Sequence, residues 1–181
     1  VSLSATIASK QSQIDFSFTE PYFMDREIRA GFDLFNTKSD LQDSSSYDRE
    51  DTGTSLRISY PVTDDLRQGW SYTLKQSTIE NVASNASIYI SSQKGTTLLS
   101  MASHSLSYDK RDSTSKPTEG YIASLNNDLA GLGGDDKFLR NSLSAKYYYS
   151  IVDDWILSLS GSLGHIVGIG QDVKLSNRFF V

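Results

Sequence analysis

Apolar and polar residues alternate through most of this chain, and a period of two is the side-chain geometry of a β-strand. In "LRNSLSAKYYYSI" (139–151) one parity carries Leu139, Leu143, Ala145, Tyr147, Tyr149 and Ile151, the other Arg140, Ser142, Ser144, Lys146 and Ser150. "WILSLSGSLGHIV" sets Trp155, Leu157, Leu159, Leu163 and Val167 against Ser158, Ser160, Ser162 and Gly164. "QIDFSF" opposes Ile14, Phe16 and Phe18 to Asp15, Ser17 and Thr19; "SLRISY" opposes Leu56, Ile58 and Tyr60 to Arg57 and Ser59. "GWSYTLK" opposes Trp70, Tyr72 and Leu74 to Ser71, Thr73 and Lys75. The pattern predicts nine strands, near 1–9, 12–21, 27–38, 53–61, 67–79, 97–109, 119–129, 137–150 and 155–168. No helical period of comparable length competes, so the fold class is all-β.

Two all-β architectures share this alternation. A soluble sandwich buries the apolar parity in a core; an antiparallel transmembrane β-barrel turns it to lipid and lines a wet interior with the polar parity. Several predicted strands reach the roughly 9–11 residues that a tilted strand needs to cross a bilayer. Tight links, "PYFMDRE", "PVTDD" and "VDDW", follow the second, fourth and eighth strands, with longer polar links such as "SDLQDSSSYDRED" and "IENVASNASIYISSQKG" between them. Short turns alternating with long loops mark an outer-membrane barrel. Aromatics gather near strand ends (Tyr22, Phe23, Tyr60, Trp70, Tyr108, Tyr121, Tyr147, Tyr148, Tyr149 and Trp155), where rings with polar tips suit a membrane interface. The expectation is the barrel.

Composition closes other routes. A net charge of -5 without a basic cluster leaves nothing to attract nucleic acid. With no cysteine there is neither a disulfide framework nor a thiolate metal site. A mean hydropathy of -0.37 describes a soluble chain or a membrane barrel equally well, because a barrel hides its apolar residues at alternate positions. "VSLSATIASK" begins in mid-pattern without a signal peptide, and nine strands is an odd count for a bacterial barrel. Both features read as a fragment of a longer barrel with strands missing at each end.

Four stretches carry a resemblance: "FSFTEPYFMDREIRAGFDLF" (16–35), "SLSYDKRDSTSKPTEGY" (105–121), "DLAGLGGDDKFLRNSLSAKYYYSI" (128–151) and "NRFFV" (177–181). In residues, order and spacing they resemble the barrel of the BamA family, the outer-membrane protein assembly factors, and most of all its alphaproteobacterial members. The resemblance implies that residues 1–181 are the third to eleventh strands of a barrel of roughly sixteen. It places two strands and periplasmic POTRA domains before Val1. "NRFFV" would open a long inward-folded loop whose Arg-Gly-Phe motif lies beyond Val181. It implies an insertase of the bacterial outer membrane and not an enzyme. Its partners would be outer-membrane lipid, unfolded outer-membrane proteins and accessory assembly lipoproteins, with no nucleic acid. The motifs usually credited with mechanism fall outside the chain, so no catalytic, cofactor-binding or metal-ligating residue is carried over and no cofactor is expected. Alternatives are a related translocation barrel (TamA-like or two-partner secretion), a passive outer-membrane channel, or a soluble sandwich that binds a partner.

The local motifs have bland readings that outweigh sharp ones. "DKRD…PTEG" is a turn between strands: Pro117 fixes φ, Gly120 tolerates a positive φ, and Asp109, Lys110, Arg111 and Asp112 form a charged periplasmic rim. Asp109 and Asp112 are paired turn carboxylates rather than an acid–base couple. His104 and His165 lack ligand-spaced partners. "GLGG" (131–134) has no following Lys-Ser/Thr and is an external loop. Asn85-Ala86-Ser87 is a sequon without meaning in a bacterial barrel. "SDLQDSSSYDRED" misses the EF-hand spacing. Arg57, Lys75, Arg140 and Lys146 would face the lumen, to tune ion passage or to pair with acids.

Overall fold

The computed structural model describes residues 1–84, 86–152, 155–174 and 177–179. Asn85 of the sequon, Asp153 and Asp154 of the last tight link, and Phe180 and Val181 of "NRFFV" lie outside the described residues. The strands are β1 (Ser2–Ala8), β2 (Gln11–Glu20), β3 (Arg29–Asp40), β4 (Asp48–Pro61), β5 (Leu66–Glu80), β6 (Gly95–Asp109), β7 (Gly120–Ala130), β8 (Phe138–Val152) and β9 (Trp155–Gly168). Each pairs antiparallel with the next, in the order β1 to β9, as one open meander. Two one-turn helices, α1 (Gln42–Ser45) and α2 (Ile88–Ser91), punctuate the links.

Register keeps the two parities apart across the sheet. Ile14 pairs with Ala5 and Asn36, Phe16 with Leu3 and Leu34, and Phe18 with Phe32. Leu143 lies between Leu125 and Leu163, and Tyr147 between Tyr121 and Leu159. The opposite face aligns Asp33 with Ser55, Ser71 with Ser103, Asp128 with Arg140, and Ser144 with Ser124 and Ser162.

Among the described residues nothing packs over the apolar face. Leu56, Leu159 and Leu163 are 58%, 57% and 74% exposed, and among the described residues the buried apolar side chains are only Leu99, Ala130 and Phe138. The accessible surface is 11994 Å² for 20.1 kDa, where a water-soluble globular chain of that mass exposes about 8,700 Å². The sheet therefore has no soluble-type core. Phe16, Leu157 and Leu159 line the open face, and the sandwich reading fails here.

The polar face is the concave one. Arg57 on β4 reaches across β3 to Thr19 and Ser17 on β2. Lys174, beyond β9, reaches Thr97 on β6 at 3.1 Å. The Phe179 ring lies over Gly164, where an added Cβ would come within 2.7 Å of it. A small apolar patch also sits on this side: Leu99, Ala130 and Phe138 pack with Met101, Ile166 and Val173.

Two expectations need correction. The links do not alternate short and long: residues 9–10 join β1 to β2 tightly, while 21–28 and 110–119, expected to be on the short side, are long. And "SDLQDSSSYDRED" is not mainly a solvated loop, because β4 begins at Asp48 rather than near 53. That stretch is held by polar cross-strand contacts: Asn36 donates to Glu50 at 2.9 Å, Lys38 pairs with Glu50 at 3.2 Å, and Asn81 donates to Asp48 at 2.7 Å. The aromatics fare better. Tyr22, Phe23, Tyr60, Tyr108, Tyr121, Tyr147, Tyr148, Tyr149 and Trp155 all gather toward the end that carries the β2–β3, β4–β5, β6–β7 and β8–β9 links, and Trp70 lies further in, as the fifth residue of β5.

Candidate functional site

The concave wall is the candidate site, and its floor is built from small residues. A groove of about 590 Å³ runs over Gly69, Ser71, Ser103 and Ser105 between Arg57 and Asp128, while the space over Gly31 and Gly53 is taken by the Arg57 side chain and the Phe35 ring. A Cβ at Gly31 would stand 3.1 Å from the Arg57 guanidinium, so the glycine is what lets that side chain lie flat. Arg57 forms an ion pair with Asp33 and donates to Ser17 at 3.1 Å, Thr19 at 2.6 Å and the Phe18 carbonyl at 3.3 Å. Across the groove Arg140 pairs with Asp128 at 2.8 Å. Nearer the opposite rim Arg49 pairs with Asp51 at 2.9 Å, Lys174 with Asp136 at 2.8 Å, and Asn177 donates to Asp136 at 3.0 Å. Lys75 lies in the same recess. Of the four lumen cations expected from sequence, Arg57 and Arg140 are paired, Lys75 is enclosed among other charges, and Lys146 is exposed. A wall of this kind turns hydroxyls and largely paired charges toward the space it lines.

The rim turn 110–119 is ordered by its own side chains. Arg111 grips Asp109 through two nitrogens, at 2.8 and 2.7 Å, and Lys110 ties the turn to Asp65 of the β4–β5 link. Asp112 accepts from the backbone N–H groups of Ser113, Thr118 and Glu119 at 2.9, 2.9 and 3.1 Å, and from the Thr118 hydroxyl. Both carboxylates are thus committed to structure, as the turn reading requires. The Thr118 hydroxyl, with these backbone donors, holds the Asp112 carboxyl down at about 2. A carboxyl depressed on folding stabilises above its ordinary value of 3.8 and loses that contribution as pH falls through about 2. Amide exchange at Ser113, Thr118 and Glu119 should stay protected down to about pH 4 and become unprotected toward about pH 2; in Asp112→Ala the protection should be missing at neutral pH.

"GLGG" is not a free loop: the Gly131 N–H bonds to the Ser100 carbonyl at 3.0 Å and the Asp135 N–H to the Leu98 carbonyl at 2.7 Å, so it clips onto upper β6. Among the described residues no group of acidic or histidine side chains is arranged to hold a metal. His104, which lacks ligand-spaced partners in the sequence, is a strand residue of β6. It stands on the apolar face against Trp70, ring centroids 4.4 Å apart, and no spacing in the sequence announced the hydrogen bonds it makes.

Comparison with known proteins agrees with this geometry. The family model described as the Omp85 superfamily domain matches residues 1–181. The outer membrane protein assembly factor BamA of Neorickettsia risticii is 35% identical over 176 residues, covering 96% of this chain and 24% of that protein. A sorting and assembly machinery component 50 homolog of Xenopus laevis is 29% identical, covering 96% of this chain and 37% of its own length. The crystal structure of BamA from Haemophilus ducreyi lacking POTRA domains 1–3 superposes with a TM-score of 0.81 at 19% identity, over 98% of this chain and 37% of that one. The chain thus spans between about a quarter and two fifths of these relatives, and its nine strands have the fold of a barrel wall. On the match over its whole length and the 35% identical relative, the chain belongs to the Omp85 superfamily.

Proposed function

We propose that this chain is the central wall of a larger outer-membrane barrel, of roughly sixteen strands, whose whole protein folds and inserts β-barrel proteins into the bacterial outer membrane. The observation that carries the reading is the two-faced sheet: an apolar side left open over nine strands and a concave polar side on which Arg57 and Arg140 are paired with Asp33 and Asp128. The 35% identity to an outer membrane protein assembly factor supports the assembly role. Strands on either side of this segment would close the barrel, and POTRA domains would precede it. The end bearing the aromatics and the 110–119 turn would face the periplasm. The protein is not an enzyme in this reading. It meets outer-membrane lipid, receives unfolded outer-membrane proteins and works with accessory lipoproteins, while this wall gives the moving parts a fixed frame. The mutually paired lumen charges favour this over a selective channel, whose lining charges face the permeating ion.

The full-length protein in liposomes should accelerate folding of an unfolded outer-membrane barrel by at least about tenfold, a barrier change of about 1.4 kcal/mol. A steady, ion-selective conductance with no acceleration of folding would make it a channel instead.

A further inference from the structure

Charge is divided between the two faces of the sheet. On the outer face the strands carry Lys38 among the carboxylates Glu20, Asp40, Asp48, Glu50 and Glu80. On the concave face the balance reverses. Arg57–Asp33, Arg140–Asp128, Arg49–Asp51 and Lys174–Asp136 cancel, and Asp109 at the rim is held by Arg111. Arg29, Arg67, Lys75 and Lys146 are left over, with Asp15 as the uncancelled carboxylate of the concave strand positions. Among the described residues none of these four cations has a carboxylate within ion-pair distance. A chain with a net charge of -5 therefore keeps a positive surplus on its inner wall.

The surplus borders the hydroxyl-lined groove. From Arg29 on β3 to Asp128 on β7 the groove crosses four strand spacings, about 19 Å, the length of about six residues of extended chain. The hydroxyls of Ser59, Ser71, Ser103 and Ser105 along it bond to no other side chain among the described residues. Arg29 also lines, with Arg67 and Glu27, a notch of about 140 Å³ at the end that carries the β2–β3 and β4–β5 links. Glu27 offsets one of the two guanidiniums there, and the mouth stays positive. Hydroxyls both donate and accept, so the floor suits any polar chain. The cations do select: guanidiniums take carboxylates in pairs of hydrogen bonds, and a positive cleft concentrates anions.

We propose that this groove is an entry track for acidic stretches of the unfolded outer-membrane protein, met at the periplasmic mouth by Arg29 and Arg67 and carried inward over the serine floor. The identity of that chain rests on the assembly reading; the preference for carboxylates does not. A small free anion fits less well, because it needs donors converging on one point and the leftover cations are spread over β3, β5 and β8. Lys75 and Lys146 extend the same sign of charge beyond the groove.

The test uses the full-length protein in liposomes, cysteine-free apart from Ser71→Cys in the groove floor. Its modification by a negatively charged and a positively charged methanethiosulfonate reagent is timed, each rate divided by that of a small free thiol. The anionic reagent should be favoured about tenfold at low salt, and far less at about 1 M salt, where screening acts beyond about 3 Å. Arg29→Gln with Arg67→Gln should remove most of the preference. A peptide of about twelve residues, alternating serine and aspartate and about twice the groove's length, should slow modification by an uncharged thiol reagent. The same peptide with asparagine or lysine for aspartate should not. Equal reactivity toward the two charged reagents overturns the proposal, as does equal protection by the asparagine peptide. Protection by free aspartate at the same total charge makes the groove a small-anion site and overturns it too. The reagent ratio and the peptides decide even where the double variant fails to fold. Preference and protection without acceleration of barrel folding would leave the track standing and sink the assembly reading; the reverse result would sink the track alone.

Discussion

Arginine in place of Leu143 should lower the unfolding free energy of the membrane-embedded protein by about 2–4 kcal/mol, the cost of a charged side chain on the lipid face at the bilayer midplane. Leu143 lies mid-strand in β8, 45% exposed, with Leu125 and Leu163 as its cross-strand neighbours. The next residue, Ser144, faces the concave side between Ser124 and Ser162. Ser144→Arg should therefore change stability by no more than about 0.5 kcal/mol, as for an ordinary wetted position. Urea titration of the two variants in the same liposomes checks the pair. Because the positions are adjacent, the introduced arginine meets the same stretch of strand in both variants, and the face it enters is the main difference between them.

Gly120→Ala should destabilise by about 2–5 kcal/mol, summing the penalty for a left-handed L-residue and that for overpacking. Gly120 opens β7 with φ +96°, and a Cβ there would overlap the Lys110 carbonyl oxygen and come within 2.9 Å of the Arg111 Cα. Relief requires the 110–119 turn to move, which would strain the Lys110–Asp65 pair and the Asp112 hydrogen bonds together. Gly133→Ala is the control. Its φ is +94°, but nothing lies within 4 Å of the added Cβ, so only the backbone penalty of about 1–2 kcal/mol applies. A drop in urea midpoint for Gly120→Ala well beyond that for Gly133→Ala is the expected outcome.

What could be read from the sequence was whatever depends on nearest neighbours along the strand. Every strand except β4 lies within two residues of its expected limits because alternation is local and each parity is chemically uniform. Gly120 and the 110–119 turn were legible for the same reason, since proline, glycine and a side-chain cap act on adjacent backbone. The start of β4 was not, because Asp48–Asp51 has no apolar parity and is stabilised by Asn36, Lys38 and Ser77 from other strands and by Asn81 of the β5–β6 link. The patch of Leu99, Phe138 and Val173 on the polar face is likewise invisible, being assembled from three distant segments. At the concave site the cations Arg57 and Arg140 could be named in advance, but their partners Asp33 and Asp128 are fixed by inter-strand register. The hydrogen-bonded row of Tyr60, Gln68, His104, Asn127 and Asn141 is the extreme case: five polar residues from five strands, meaningful only once the register aligns them.

The account rests on which environment each face of the sheet meets, and single-cysteine labelling along β8 measures that directly. The chain has no cysteine, so residues 139 to 147 can each be replaced in a cysteine-free full-length protein, spin-labelled and placed in liposomes. Labels at 139, 143, 145 and 147 should be relaxed by oxygen dissolved in the hydrocarbon, and those at 142, 144 and 146 by a water-soluble paramagnetic reagent. Water-soluble reagent reaching the odd positions, or oxygen dominating at the even ones, would contradict the account.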